Sequence, residues 1–500
     1  MGLFARRSAP NERRGGDGWL SALLALAFIA GGCAYLDRLD ADAVVRDAIA
    51  RELWRNTTVG RQALVASAWW PPFPILLRLP FVAFPCVSEG WPVASLLLSA
   101  LAAAAALGWM LRRLRCEGLG KARYLVVLAV AVHPFFLEQA LGGGPGPLVL
   151  LFALVAADGL AEWTAWRSLR GLVRLAGGSA LLIGSSIEMA PWIAALYLCL
   201  LFDLARGPFE RGQRGAALWL ALLPPLAAAG FWVLMNWLIM GDAIYFLRGL
   251  LRHRELLSGP LVVPFPFSPT DAVVGGCALA VAAVAALRAH RAGVFLGLLA
   301  AAPVGIAAAL SLRGLMGSPA PLLFVAGPLA VFAVARQVGT ARRAPTARIA
   351  ALAVAFGLTL AAAARWPERS LFAPARRSYA TLAAQRRRWL PPLESHVRAA
   401  SPFARVFVAG YESFELLDAP APELFVPALD LDFAAVERDY AGNQLYVLVR
   451  RPEGRGAMDS IHWKYPRMYE WGSRYTLYDS DWGDWRLFEI VQPRSLEEAP

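Results

Sequence analysis

The residues best suited to chemistry are two aspartates that follow the first long apolar stretch of the chain. Asp40 and Asp42 open the segment DADAVVRDAIARELW, residues 40–54. Apolar residues recur on one side of this segment at helical spacing and charged residues occupy the other, which is typical of a helix lying in a membrane interface. A carboxylate at that boundary can serve as a general base, because the low dielectric raises its pKa. Asp42 is also suited to N-cap the helix, and the spacing alone favours the cap.

A cation follows in WWPPFPILLRLP, residues 69–80. The paired prolines Pro71 and Pro72 bend the chain before the bilayer, because proline cannot continue a helix through its interior. Arg78 lies within an apolar run, where a charge is costly unless it meets an anion or reaches the headgroups. The position favours an arginine that reaches the headgroups, and a ligand of a lipid phosphate is the second interpretation.

Further polar residues lie at the ends of later apolar stretches, on the face where the first stretch delivers the aspartates. Arg248 and Arg252 in LRGLLRHRE suit a lipid-carrier phosphate or an anionic lipid surface. Ionisable residues at membrane depth are costly, and together they suggest a polar pocket on that face, although each alone is more typical of a cap or an interhelical hydrogen bond. The pocket candidates are His133, Glu138, Glu188 and Asp242.

The composition is that of a polytopic membrane protein. Of the 500 residues, 58% are hydrophobic and 17% are charged. Several runs of about 18–22 residues are long enough to cross a hydrocarbon core of about 30 Å, and such spans must be helical. The net charge of +12 comes from basic residues in short loops between apolar runs. Membrane topology and anionic headgroups explain these residues better than nucleic acid does.

The alternation of basic loops predicts an α-helical membrane protein with about eleven transmembrane helices and a small external α/β C-terminal domain. Short runs of β-branched and aromatic residues, RVFVAG, ELFVP and QLYVLVRRP, predict strands in that domain. The location expected is a bacterial inner membrane. The predicted parts are a cytoplasmic N-terminus (1–18), a membrane domain (19–367) with an external loop (37–92), and a periplasmic or extracellular domain (368–500).

The predicted spans within the membrane domain follow the apolar runs. The first six are 19–36, 93–111, 122–141, 147–163 and two short spans within 171–205, which a break at GSSIEMAP separates. The remainder are 216–238, 271–288, 293–312, 318–336 and 346–365. No nucleotide-binding glycine loop, Ser-His-Asp pattern, metal-ligand triad or disulfide framework appears, so we expect no metal site and no cofactor.

The order of these motifs resembles the GT-C class of multi-spanning glycosyltransferases. It is most similar to the bacterial branch, families 39 and 83, that includes aminoarabinose transferases and protein mannosyltransferase-like enzymes. In that branch an Asp-Glu pair opens an interface helix ending in Ala-Arg-Glu, and Pro-Pro-Leu precedes the second span. Here Ala50-Arg51-Glu52 and Pro71-Pro72-Phe73 match, Asp42 matches the acid, and Ala43 stands where the family has Glu.

The resemblance implies transfer of a sugar from a polyprenyl-phosphate-linked donor to a cell-envelope glycan, lipid or protein. The resemblance further implies that Asp42 is the general base, with Asp40 as the alternative, and that the configuration of the anomeric carbon is inverted. Arg78, Arg248 or Arg252 would bind the donor phosphate. Some members of the class use a divalent metal, and nothing in this sequence requires one. The alternative is a catalytically degenerate scaffold or transporter whose external domain docks a partner, which the missing Glu at Ala43 keeps open.

Overall fold

The structure, a computed structural model, describes most of the first half of the chain and parts of the C-terminal region. The predicted spans within 271–365 and residues 1–17 of the predicted N-terminus lie outside the described residues. The described residues are 18–34, 41–66, 71–83, 93–116, 121–132, 134–247, 388–408, 424–427, 431, 433, 436, 440, 442–452 and 460–491.

The chain divides into two compact units that alternate along the sequence. The helical unit consists of Met1–Arg38, Leu96–Trp232 and Phe265–Ala373. The sheet unit consists of Leu39–Ser95, Val233–Pro264 and Pro374–Pro500. The sheet unit therefore combines the loop predicted at 37–92 with most of the domain predicted at 368–500.

Helices dominate the described part of the first 247 residues. In chain order they are α1 Gly18–Ala34, α2 Ala41–Trp54, α3 Thr58–Val65, α4 Pro72–Leu76, α5 Leu79–Val82, α6 Val93–Cys116, α7 Ala122–Ala131, α8 Pro134–Leu141, α9 Gly146–Trp166, α10 Leu169–Ile183, α11 Ala190–Arg206 and α12 Arg211–Met240. A short 3-10 turn, Ile187–Met189, precedes α11.

Four of the described helical stretches are long and apolar enough to cross a membrane. They are α6, α9, Ile187–Arg206 and α12. The predicted class of apolar helical protein is thus confirmed, while the count of eleven stays a prediction. The break predicted at GSSIEMAP is also confirmed, because α10 ends at Ile183 and α11 begins at Ala190.

The stretch predicted as one span at 122–141 is instead two helices. α7 ends at Ala131 and α8 begins at Pro134. Proline lacks the amide hydrogen that would continue the helix and restricts the residue before it, so the helix ends there.

An ionic cluster connects α6, α9 and α10 inside the helical unit. Arg113 Nη2 lies 2.7 Å from Asp158 Oδ1 and 3.1 Å from Glu162 Oε2. Arg174 also contacts both carboxylates. Two cations thus meet two anions, which satisfies the requirement that charges removed from water be paired.

The C-terminal part of the sheet unit is a sheet with helices on both faces. Helical residues 388–400 form α13, and α14 Ser460–Lys464 and α15 Met468–Trp471 are short. The strands are β1 Arg405–Val408, β2 Phe425–Pro427, β3 Leu445–Arg450, β4 Thr476–Trp482 and β5 Trp485–Ile490. Among the described residues their order is β2-β1-β3-β5-β4. β1 is parallel to β2 and β3, and β5 is antiparallel to β3 and β4.

The strands predicted from RVFVAG, ELFVP and QLYVLVRRP are confirmed as β1, β2 and β3. The sequence analysis missed the hairpin of β4 and β5. β4 is an edge strand that exposes Leu477 and Tyr478, so its pattern does not show a buried face. Gly483, with φ of 64°, makes the turn between the two strands, a conformation that glycine adopts without strain.

Both faces of the sheet are covered by apolar cores, and α2 belongs to one of them. Because side chains alternate along a strand, Val406 and Phe407 point to opposite faces. The second core contains Phe407, Val447 and Phe488. The first core joins α2 and α13 to the other face of the sheet and includes Val45, Ile49, Leu393, Val406 and Leu448.

Close packing of α9 on α10 depends on glycine at specific positions. A Cβ on Gly178 would lie 2.8 Å from the Ala156 amide nitrogen and 3.0 Å from the Phe152 carbonyl oxygen. A Cβ on the adjacent Gly177 would meet nothing within 4 Å. Two neighbouring glycines therefore differ in whether the fold tolerates a methyl group.

We predict that Gly178→Ala destabilises the protein by about 1–3 kcal/mol, because the backbones of α9 and α10 must separate. Gly177→Ala is the matched control and should be neutral or stabilise by up to about 1 kcal/mol, since alanine favours the helix. Thermal unfolding of the detergent-solubilised protein measures both. Equal effects of the two substitutions would contradict this packing.

Candidate active site around helix α2

Helix α2 is buried on its charged side as well as on its apolar side. The side chains of Arg46, Asp47, Arg51 and Glu52 are all buried. The expectation that this side faces headgroups or water is therefore wrong. The two carboxylates, Asp47 and Glu52, find partners inside the sheet unit, which makes their burial tolerable.

Asp47 is the centre of a buried network near the N-terminal end of α2. Its exposure is 2%, and that of its partner Arg78 is 1%. Arg78 Nε lies 3.1 Å from Asp47 Oδ1 and donates a hydrogen bond of 2.7 Å to the Ser95 hydroxyl. The Arg78 Nη1 atom also donates to the Pro74 carbonyl oxygen.

Ser95 connects Asp47 to the first turn of α6. Its backbone amide donates to Asp47 Oδ2 at 3.0 Å. The amides of a first helical turn have no partner within the helix, and a carboxylate there interacts favourably with the helix dipole. The Ser95 hydroxyl lies 2.5 Å from Asp47 Oδ1 and 2.9 Å from the Ala43 carbonyl oxygen, and its single proton serves one of these acceptors.

Burial sets the protonation behaviour of Asp47. Removal from water raises the pKa of its carboxyl above the usual value, while Arg78 and the two hydrogen bonds from Ser95 oppose that rise. Arg78 is thus the cation that makes a charged Asp47 acceptable in this interior. A phosphate would have to draw Arg78 away from Asp47 and leave that carboxylate buried without its main counter-charge. The predicted role of Arg78 as a phosphate ligand stays a prediction.

A second carboxylate, Glu52, is held near the C-terminal end of α2. It accepts hydrogen bonds from Arg55 Nη1 at 2.9 Å and from the Tyr440 hydroxyl. The Thr57 hydroxyl lies 3.3 Å from Glu52 Oε2 and accepts a hydrogen bond of 3.0 Å from the Gly60 amide, which caps α3. The network therefore joins α2, the start of α3 and the C-terminal part of the sheet unit.

Asp42 is the second residue of α2, so its backbone lies in the first helical turn and not at the N-cap position that its spacing favoured. Its side chain is outside what the structure describes, and so is the whole of Asp40. The residue after Asp42 is Ala43, whose carbonyl oxygen is the one within 2.9 Å of the Ser95 hydroxyl. The turn that carries Asp42 is therefore attached directly to the Asp47 network.

The predicted pocket residues fall in both units. Glu138 is exposed in α8, and Glu188 is half-buried in the 3-10 turn before α11. Asp242 follows α12 in the sheet unit, and its Oδ1 accepts a hydrogen bond of 3.1 Å from the Ile244 amide. The other candidates lie outside the described residues: His133, Arg248 and Arg252. The assignment of these residues to a common pocket stays a prediction.

Three residues of this site, Asp47, Ser95 and Tyr440, were not singled out from the sequence, and Glu52 was named there only as the last residue of the Ala-Arg-Glu motif. The sequence shows Asp47 and Glu52 as charged residues of a predicted helix. It contains no local signal that their side of the helix is buried. Ser95 looks like an ordinary small residue of an apolar helix. Tyr440 is 388 positions from its partner Glu52, so no local pattern connects the two. Within the described residues, no group of three His, Cys, Asp or Glu side chains is arranged to hold a metal ion.

Comparison with known proteins finds a weak likeness to solved structures. No family model and no curated protein matches the chain. Among solved structures, the chain is similar to the crystal structure of ArnT from Cupriavidus metallidurans bound to undecaprenyl phosphate, at 12% sequence identity and a TM-score of 0.38. The match covers 96% of this chain and 100% of that one. That protein is a GT-C aminoarabinose transferase.

We predict that Arg78→Met destabilises the protein by about 3–5 kcal/mol, because it leaves Asp47 buried without its counter-charge. Adding Asp47→Asn should recover part of the loss, since the neutral amide needs no cation. Chemical or thermal unfolding in detergent measures the single and double variants. Equal instability of the two would show that Asp47 does not depend on Arg78.

The loss caused by Arg78→Met should also depend on pH. The pKa of Asp47 is raised in the folded state, so its protonated form favours folding below the unfolded value of 3.8, and that gain disappears as pH rises through the folded value. Without Arg78 the folded pKa rises further. The variant should therefore approach wild-type stability in acid and fall furthest behind at neutral pH. A difference that does not change with pH would contradict a charged Asp47.

Proposed function

We propose that this protein is a membrane glycosyltransferase that transfers a sugar from a polyprenyl-phosphate-linked donor to a cell-envelope glycan, lipid or protein. The reaction takes place at the external face of a bacterial inner membrane, with the N-terminus in the cytoplasm and the C-terminal domain in the periplasm or outside the cell. The proposal combines the motifs that resemble the GT-C class with the way in which the sheet unit holds α2.

The observation that carries the proposal is the fixation of the first turn of α2. A general base must be held in one geometry relative to the hydroxyl that it deprotonates, because small displacements cost large factors in rate. Asp47, Ser95 and Arg78 form a buried network that lies against the backbone of this turn, with the Ser95 hydroxyl 2.9 Å from the Ala43 carbonyl oxygen. The buried ion pair of Asp47 and Arg78 lies close to the helical turn that carries Asp42, which supports a site in which Asp42 is held in one position.

In the proposed reaction the Asp42 carboxylate accepts the proton of the acceptor hydroxyl. The hydroxyl oxygen forms a bond to the anomeric carbon, and the bond from that carbon to the phosphate oxygen breaks on the opposite side, which inverts the centre. The polyprenyl phosphate leaves with an added negative charge, which Arg248 and Arg252 offset. Arg78 enters this proposal as the residue that holds Asp47, and Asp40 is the alternate base. No step requires a metal ion.

We expect Asp42→Asn to reduce transfer by about 10²–10⁴-fold, because an amide cannot accept the proton. Asp40→Asn is the matched control, being the same change two residues earlier. Membranes containing each variant are supplied with a radiolabelled polyprenyl-phosphate sugar, and the label that enters envelope material is counted. The isosteric change removes no apolar packing, so protein level and thermal stability should match wild type.

The same assay separates the alternatives. Loss of transfer in Asp40→Asn with full transfer in Asp42→Asn would assign the base to Asp40. Full transfer in both variants would contradict a carboxylate base in this segment. No transfer by the wild-type protein, from any sugar pool supplied, would favour the scaffold or transporter.

A further inference from the structure

A tyrosine in the C-terminal part of the sheet unit forms a hydrogen bond with helix α2. The Tyr440 ring is buried and packs edge-to-face on Phe407 of β1, with ring centroids 5.2 Å apart. Its hydroxyl donates to Glu52 Oε2 in α2. Hydrogen bonds to a carboxylate are about twice as strong as those between neutral groups. A residue anchored in the sheet therefore holds a charged residue of the helix that opens with Asp42.

We infer that Tyr440 is a positioning residue, which fixes the C-terminal end of α2 through Glu52 while the Asp47 network fixes its N-terminal end. With both ends held, the helix cannot rotate or shift along its axis. The C-terminal domain is then a part of the catalytic apparatus that acts through α2, and this is a role that neither the sequence motifs nor the resemblance assigns to it.

The surroundings of Glu52 favour positioning over a direct role in chemistry. Its carboxylate already accepts from Tyr440 and Arg55, and the Thr57 hydroxyl lies within hydrogen-bond reach. Burial and the neighbouring Glu52 raise the pKa of Tyr440, so its hydroxyl keeps the proton that it donates. The backbones of α2 and α3 also lie close together here, because a Cβ on Gly60 of α3 would lie 2.6 Å from the Glu52 carbonyl carbon. The end of α2 is thus enclosed by α3 and by Tyr440.

The inference rests on the proposed function for its effect on rate. A base that is held less firmly should lower kcat and leave the KM for the donor unchanged, since the donor's binding groups are elsewhere in the proposal. We expect Tyr440→Phe to lower kcat by about tenfold, because the ring still packs on Phe407 and only the hydroxyl is lost. In a Glu52→Gln background the same substitution should cost less, since the charge-assisted bond is already gone.

The matched control is Tyr475→Phe, the same change in the same part of the sheet unit. The Tyr475 hydroxyl hydrogen-bonds with the exposed Arg474 side chain. This variant should keep wild-type kcat and KM.

A second measurement does not depend on catalysis. Hydrogen–deuterium exchange of the full-length protein in lipid nanodiscs follows the amides of residues 55–61, where Thr57 donates to the Glu52 carbonyl oxygen and Gly60 to the Thr57 hydroxyl. Tyr440→Phe should accelerate exchange there by about tenfold, and Tyr475→Phe should not. Unchanged exchange in Tyr440→Phe would overturn the inference.

The two measurements together separate the inference from the proposed function. Faster exchange with unchanged kcat would overturn the positioning role and leave a purely structural contact. If Tyr440→Phe exchanges faster but the wild-type protein transfers no sugar, the proposed function is contradicted. The contact by which Tyr440 holds α2 would then stand.

Discussion

The arrangement of the sheet unit depends on one electrostatic constraint, which is that a carboxylate removed from water must be neutralised or paired. Asp47 meets this constraint with Arg78 and with the Ser95 amide at the start of α6. Arg78 meets it in turn with Asp47, the Ser95 hydroxyl and the Pro74 carbonyl oxygen. Because removing one partner of a buried ion pair is strongly destabilising, α2, Arg78 before α5 and the start of α6 are held in the arrangement that pairs Asp47 with Arg78.

This constraint explains why distant parts of the sequence form one unit. The segment Leu39–Ser95 supplies α2 and both of its buried carboxylates, and Pro374–Pro500 supplies the sheet and Tyr440. Neither segment covers the apolar side of α2 alone, since Val45 and Ile49 share a core with Val406 and Leu448 of the sheet. The paired carboxylates on the charged side fix the orientation of α2, and the residues on its apolar side supply the hydrophobic surface that is buried. The C-terminal region is therefore a structural partner of the loop that follows the first apolar helix.

Local features of the structure could be read from the sequence, and long-range ones could not. The helix over 41–54, the break between α10 and α11 and the first three strands follow from periodicity and from glycine, serine and proline positions. The burial of the charged side of α2 did not follow, because the partners of Asp47 are Arg78 and Ser95, far along the chain. Helical amphipathicity shows that two sides differ and does not show which of them meets protein. The proline that divides 122–141 was visible, but the length of the apolar run favoured a single span.

The central claim is that the charged side of α2 lies inside the protein and not on a membrane surface. Ala50 tests it, because it lies four residues after Arg46 and three after Asp47, belongs to the first core and has an exposure of 0%. Trp54 continues the same side and is 59% exposed. In a variant without native cysteines, single cysteines at these positions are treated with a water-soluble maleimide. We predict rapid labelling at Trp54→Cys and none at Ala50→Cys until the protein is denatured, and equal labelling of both in the native protein would contradict burial of this side of α2.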